Sequence, residues 1–269
     1  MAFFNDITLG QYFPVDSPVH RLDPRTKLLC AIIYMSWLLL IESWITIGWV
    51  IFIVWLGLQF SKIPLVIALK NIRPFIWLFL LTFFLHLFLS EGRILWIIPF
   101  LDVPIYREGL QFGLLYNFRL IILILVAALL TLTTSPVDLT DALNRLLAPL
   151  KKLNVPVHDF VMMMSLALRF IPTLLQEAER IQKAQMARGL SFDGSLFQKL
   201  KQMIPLLLPL FISAFRRAEE LALAMDARCY NCNATRTNYV RLKFTNIDYW
   251  VMGLSIVVIL VNVGFNLVV

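Results

Sequence analysis

The sequence predicts an all-α integral membrane protein of about five transmembrane helices, with a cytoplasmic coupling domain of one short and two long helices. Three observations predict it. Of 269 residues, 59% are hydrophobic and only 15% charged, where soluble domains hold about a quarter charged residues. The apolar residues form continuous runs rather than alternating ones, which favours spanning helices over a β-barrel. The basic residues are concentrated, with 15 of the 24 Lys and Arg between positions 135 and 245. With a mean hydropathy of +0.78, the chain is not a disordered segment, a coiled coil or an ordinary cytosolic enzyme.

The first apolar run covers residues 28–60, and Glu42-Ser43 splits it into two short spans joined by a tight turn. Residues 71–89 give the third span and 109–134 the fourth and longest. Between them, residues 94–106 are apolar but hold Pro99 and Pro104, and read as an irregular outer loop. Residues 249–269 give the fifth span. No signal peptide is expected, because Asp6, Pro14, Asp16, Pro18 and Asp23 interrupt any apolar core near the start.

Charge sets the orientation. Arg21, Arg25 and Lys27 precede the first span, and Lys62, Lys70 and Arg73 lie between the second and third. The positive-inside rule makes both segments cytoplasmic. The same rule explains the net charge of +7 without nucleic acid. The expected protein sits in the cell membrane, with its N-terminus in the cytoplasm and its C-terminus outside.

The chain then divides into residues 1–134 (N-terminal segment and spans one to four), 135–245 (cytoplasmic coupling helices) and 246–269 (the fifth span). Ser135-Pro136 and Asp138 are helix-start signals for a short amphipathic helix over 137–150. Two longer helices follow, over 156–188 and 195–228. Each is apolar in its first half (160–175 and 203–215) and charge-rich in its second. The apolar halves are 16 and 13 residues long, short of the roughly 20 that a spanning helix needs. A crossing there would also carry Arg180, Lys183, Arg188, Lys199 and Lys201 outward, against the charge rule.

These two helices echo each other. At a shift of 40 residues, Ala178/Ala218, Glu179/Glu219, Ala184/Ala224, Ala187/Ala227 and Arg188/Arg228 are identical pairs, five in eleven positions. Both helices end on Ala-Arg followed by a small residue: Ala187-Arg188-Gly189 and Ala227-Arg228-Cys229. Helix ending alone accounts for a terminal cation and a glycine. It does not account for the shared lead-in. A projecting helix end with a forked guanidinium beside small residues is a docking device for acidic grooves. Two such ends suit two homologous partners, or a dimer.

The stretches Leu168-Arg-Phe-Ile-Pro172, Ala184-Gln-Met-Ala-Arg-Gly189 and Ala218-Glu-Glu-Leu-Ala222 through Arg228-Cys-Tyr230 resemble the T component of energy-coupling-factor (ECF) transporters. So does the opening Asp23-Pro24-Arg25-Thr26-Lys27. The resemblance covers nearly the whole chain. It departs at Cys229, where the family has glycine, and a left-handed cap is less comfortable there.

The resemblance implies an ABC-type importer for vitamins or micronutrients. A T component couples two cytosolic ABC ATPases to a membrane-embedded, substrate-binding S component. Ala187, Arg188 and Gly189 would dock one ATPase, and Ala227, Arg228 and Cys229 the other. The apolar halves, with Met162, Met163, Met164, Leu168 and Leu207, would receive the S component. Methionine repacks readily, which suits a surface that accepts several partners; ordinary core packing is the alternative for that run. ATP and Mg would be bound by the partner ATPases, leaving this chain without cofactor, metal or nucleic acid.

The chain itself is not expected to be an enzyme. No glycine is followed by lysine anywhere, so no GxxxxGK[ST] phosphate loop exists. Cys229 and Cys232 form a lone CxxC, and His20, His86 and His158 are scattered, so neither zinc nor a disulfide framework is expected. The rival readings are a passive membrane scaffold, a permease or a multi-pass membrane enzyme. An enzyme would need a carboxylate pair, HExxH or GxSxG, and none occurs; Arg119 within the fourth span is expected to face a neighbour or snorkel outward.

Overall fold

The computed structural model describes residues 12–40, 43–98, 103–153, 156–190, 196–230 and 244–268. The chain divides into two compact units: residues 10–142 with 242–269, and a second one built on 143–241. The second opens later than the boundary at 135 that the sequence suggests.

The larger unit contains α1 (Pro24–Leu40), α2 (Trp44–Ser61), α3 (Leu65–Lys70), α4 (Ile76–Leu89), α5 (Arg107–Thr133) and, after the coupling segment, α9 (Asn246–Val268). The break between α1 and α2 falls where Glu42-Ser43 predicts it, although Glu42 lies outside the described residues. The central helix is α5, which packs against α1, α2 and α4. Trp37 and Leu38 of α1, Ile47, Val50, Val54 and Leu58 of α2, and Leu115, Ile122 and Val126 of α5 form the buried core. Most remaining large apolar side chains of α2 and α4 are exposed, as expected of surfaces that face lipid tails rather than water.

Small residues let α4 and α5 approach closely. A side chain at Gly109 would sit 2.7 Å from the His86 carbonyl oxygen, and one at Gly113 would sit 3.3 Å from the Phe83 ring. The single GxxxG of the sequence is therefore a packing seam. Arg119 does not snorkel outward. It is buried in α5, its guanidinium 4.9 Å from the centre of the Tyr116 ring, which in turn lies 4.6 Å from His86. A ring face stabilises the cation where water is excluded.

One sequence expectation is corrected. Residues 94–106 are not irregular throughout: β1 (Ile94–Ile98) pairs antiparallel with β2 (Val103–Tyr106). The alternation is hidden because β1 is apolar at every position. Pro104 is tolerated on a two-stranded ribbon, where each strand is an edge. Pro99 and Asp102 lie outside the described residues.

The Asp23-Pro-Arg-Thr-Lys27 segment is a clip. Asp23 caps α1, accepting the Arg25 backbone N–H at 2.9 Å with Pro24 as the first helical residue. The Arg25 side chain returns to the Asp23 carboxylate at 3.1 Å and lies 4.4 Å over the Phe244 ring. Lys27 Nζ donates to the Thr133 carbonyl at 2.9 Å, placing a cation on the negative end of α5. At α9, Asp248 reaches back to accept the Thr245 backbone N–H and hydroxyl, 2.8 and 2.6 Å away, one half of a capping box. The starts of α1 and α9 and the end of α5 therefore share one polar cluster.

The second unit carries α7 (Val157–Ala187) and α8 (Leu196–Asp226), 31 residues each. The shorter α6 (Pro136–Leu146) precedes them, with Ser135 accepting the Asp138 N–H at 3.1 Å as its sequence signal predicts. Residues 154–155, 191–195 and 231–243 are outside the described set.

Among the described residues, four helical stretches are long and apolar enough to cross a membrane: Trp44–Ser61, Leu65–Leu89, Arg107–Thr133 and Asp159–Ala187. The first three match expected spans. The fourth is part of α7, which sequence reasoning kept out of the membrane. That reasoning measured the apolar half alone, whereas α7 runs unbroken into its charged half. Of the other two expected spans, α1 has 17 described residues, and α9 has 23, of which Asn246–Asn262 forms a shorter apolar stretch among the described residues.

Candidate functional site: two matched helix ends

Both long helices are apolar helices that turn polar. In α7 an apolar face presents Phe160, Met163 and Met164, all exposed, while Val157 and Val161 are buried. In α8 the exposed apolar residues are Met203, Ile204, Leu207, Leu208, Phe211, Ile212 and Phe215. Their spacing of three and four places them on one stripe, and the Phe211 and Phe215 rings lie 4.9 Å apart along it. Pro172 interrupts the hydrogen-bond ladder of α7, and Pro205 and Pro209 that of α8. Each removes a backbone donor and disfavours a straight helix.

The two helix ends have the same architecture. In α7, the Leu190 N–H donates to the Gln185 carbonyl at 3.1 Å and the Gly189 N–H to the Met186 carbonyl at 3.0 Å. In α8, the Tyr230 N–H donates to the Met225 carbonyl at 3.0 Å and the Cys229 N–H to the Asp226 carbonyl at 2.9 Å. Both are Schellman closures, and each bond of one is shifted by 40 residues from its counterpart.

That closure demands a left-handed residue after the Arg. Gly189 supplies it at φ 90° without cost. Cys229 adopts it as well, at φ 55°. A non-glycine residue there is uncommon, so the substitution for glycine leaves the cap geometry intact and adds backbone strain. Cys232 lies outside the described residues.

All six residues of the two Ala-Arg motifs are exposed, as are Ala184 and Ala224 one turn earlier. Each end therefore presents a guanidinium flanked by small side chains on a rigid terminus. The expected S-component residues are less uniform. Met163, Met164 and Leu207 are exposed, whereas Met162 and Leu168 are half-buried. Met162 accepts a hydrogen bond from the Tyr230 hydroxyl, so the far end of α8 lies against the beginning of α7. From Met162 to Arg188 is 26 residues, about 39 Å along a helix at about 1.5 Å per residue. The two arginines are thus prongs at opposite ends of α7, not a cluster. Sequence reasoning gave Tyr230 no role. Its signal was its place one residue past the cap, where a contact back to the protein is common.

Comparison with known proteins covers most of the chain. The family described as CbiQ, cobalt transport protein, matches residues 16–239, which include both helix ends and the Asp23–Lys27 segment. The energy-coupling factor transporter transmembrane protein EcfT of Acidaminococcus fermentans is 46% identical over 261 residues, covering 97% of this chain and 96% of that protein. This chain is a member of the ECF transporter T-component family. EcfT of Ruminiclostridium cellulolyticum is 44% identical over 94% of each chain. EcfT of Bacillus subtilis is 43% identical over 91% of this chain and 92% of its own length. A T component is a transporter membrane subunit, not a member of an enzyme family, which fits the apolar helices of both units.

Proposed function

We propose that this chain is the coupling subunit of an ECF importer. It transmits ATP-driven motion from two cytosolic ABC ATPases to a membrane-embedded S component that binds a vitamin or other micronutrient. ATP and Mg belong to the ATPases, and this chain needs no cofactor of its own. One observation carries the reading: two helix ends with the same hydrogen-bond register, each presenting an exposed Arg between small residues. A single cap would be a helix ending; a matched pair suits a pair of homologous partners.

In this reading Ala187-Arg188-Gly189 enters a groove on one ATPase, and Ala227-Arg228-Cys229 the equivalent groove on the other. Acidic groups there accept the planar guanidinium in forked geometry. The exposed stripe of α8 and the Met163-Met164 face of α7 receive the S component. The α7 and α8 helices lie on the cytoplasmic side of the cell membrane, the N-terminus is cytoplasmic and the C-terminus extracellular.

The test is purification of the tagged full-length chain from its own host, with mass spectrometry of everything that accompanies it. Two ABC ATPases and at least one small membrane protein are expected. Recovery of the chain with no ATPase would overturn the reading.

A further inference from the structure

The end of α8 is tied to the apolar half of α7 by one side chain. Tyr230 follows Arg228 and Cys229 directly. Its backbone N–H closes the last turn of α8 on the Met225 carbonyl. Its hydroxyl donates to the sulfur of Met162. One residue therefore follows the docking end directly and is in contact with the methionine run. Within that run Met163 and Met164 are exposed, and Met162 is the half-buried member that meets Tyr230.

The other docking end is built differently. The matching position after Gly189 is Leu190, which makes the same backbone closure but carries no side-chain donor. A displacement at Arg188 must travel the length of α7 and pass Pro172 before it reaches the methionine run. A displacement at Arg228 reaches that run across one phenol. The closure at α8 fixes the Tyr230 backbone to the last turn, so the ring moves with the helix end. The ring is rigid, and the thioether it touches is polarisable and adapts its rotamer, so the contact can persist while α8 shifts against α7.

We infer that Tyr230 is a positioning residue for energy coupling: it passes movement of the Arg228 end to the Met162–Met164 surface, which makes the two docking ends mechanically unequal. The inference rests on the coupling reading above.

The test uses the whole complex in lipid nanodiscs: this chain, its two ATPases and the co-purifying S component, which carries a polarity-sensitive dye. Mg-ATP is added, and phosphate release and the dye response are recorded together. Tyr230→Ala is expected to keep all subunits and to keep hydrolysing ATP. Its dye response per phosphate released should fall about fivefold or more, the low end of usual coupling energies. Tyr230→Phe, which retains the ring, should fall less, and Leu190→Ala should stay close to wild type. An unchanged ratio in Tyr230→Ala overturns the inference. So does an equal fall in Leu190→Ala, or loss of the ATPases or the S component from Tyr230→Ala, because Tyr230 would then be only a cap or a contact. Absence of ATPases from the wild-type complex overturns the coupling reading itself, a result distinct from all of these.

Discussion

The backbone N–H of Asp23 donates to Oδ1 of Asp248 at 2.9 Å, joining residues 225 positions apart. Asp248 is 0% exposed and holds the caps of two helices at once. A carboxylate can do this because it offers two oxygens and several lone pairs.

Removing Asp248 should loosen the assembly of the membrane unit. Asp248→Ala leaves the Asp23 and Thr245 N–H groups without their acceptor, at about 1–3 kcal/mol for each buried donor. Asp248→Asn keeps one acceptor oxygen and should cost about half as much. Thermal unfolding in detergent measures both; an alanine variant as stable as wild type would mean the clip contributes nothing.

Arg188 and Arg228 should each be needed for partner binding. Truncating an interface arginine of this kind costs about 2 kcal/mol or more, roughly 30-fold in affinity. Each Arg→Ala change should therefore reduce ATPase recovery, and the double change should abolish it while the chain still inserts in the membrane. Lysine should rescue only in part, for want of the planar fork. Arg236 and Arg241, outside the described residues, are the controls whose loss should matter little. Normal uptake by the double variant would reduce both motifs to helix caps.

Charge on the α8 stripe should separate the two kinds of partner. Leu207 is 55% exposed, so Leu207→Glu disturbs the chain itself little. The variant should lose the S component and keep the ATPases in a pull-down. Leu168→Glu, at a half-buried position, should show the same pattern with some loss of stability. The opposite pattern would refute the division of each helix into two working halves.

Acid should weaken the segment ahead of α1. His20 accepts the Ser17 hydroxyl at Nδ1, 2.7 Å away, and donates from Nε2 to the Phe13 carbonyl at 3.0 Å. Burial, with the nearby Lys27 charge, holds its pKa below the usual 6.5. A depressed histidine contributes stability above the unfolded value, and this is lost as pH falls below 6.5 toward the folded one. The melting temperature should therefore drop between neutral and mildly acidic pH, and His20→Gln should flatten that part of the profile. An unchanged profile would exclude His20 as its source.

Orientation can be read with two thiols. With Cys30 and Cys232 replaced by serine, the exposed Cys229 should react with an impermeant maleimide only after the cells are opened. A Glu91→Cys thiol, exposed beyond α4, should react in intact cells once Cys229 is also serine. Labelling of Cys229 from outside would reject the proposed orientation.

Much of this was legible because membrane helices write their limits in plain residues. Glu42-Ser43 marks the α1–α2 break, Ser135-Pro136 marks the start of α6, and the repeated Ala-Arg marks the ends of α7 and α8. What stayed hidden was long-range or local in shape. Nothing near Asp23 announces Asp248, because the bond spans most of the chain. The β1–β2 ribbon escaped because an apolar strand has no alternation to reveal it. Of the two expectations for Arg119, outward snorkelling failed, because an aromatic partner, Tyr116, lies one turn away on its own helix. Cys229 was legible as a departure, but that it would take the left-handed conformation anyway depends on the two backbone bonds that close the helix.

The clip that joins Asp23, Asp248 and Thr133 also counts crossings. It holds the end of α5 near the start of α9 through α1, so if both helices span the membrane, the chain leaves and returns on the same face of the bilayer. Whatever lies between them crosses an even number of times. If α5 and α9 both span, a lone passage by α7 would break that parity: α8 would have to return, or neither helix would cross. A sequence change that added one passage to this segment could not be absorbed locally. It would have to tear α9 from α1 at Asp248, and on that reading a buried carboxylate would guard the sidedness of the whole segment between α5 and α9.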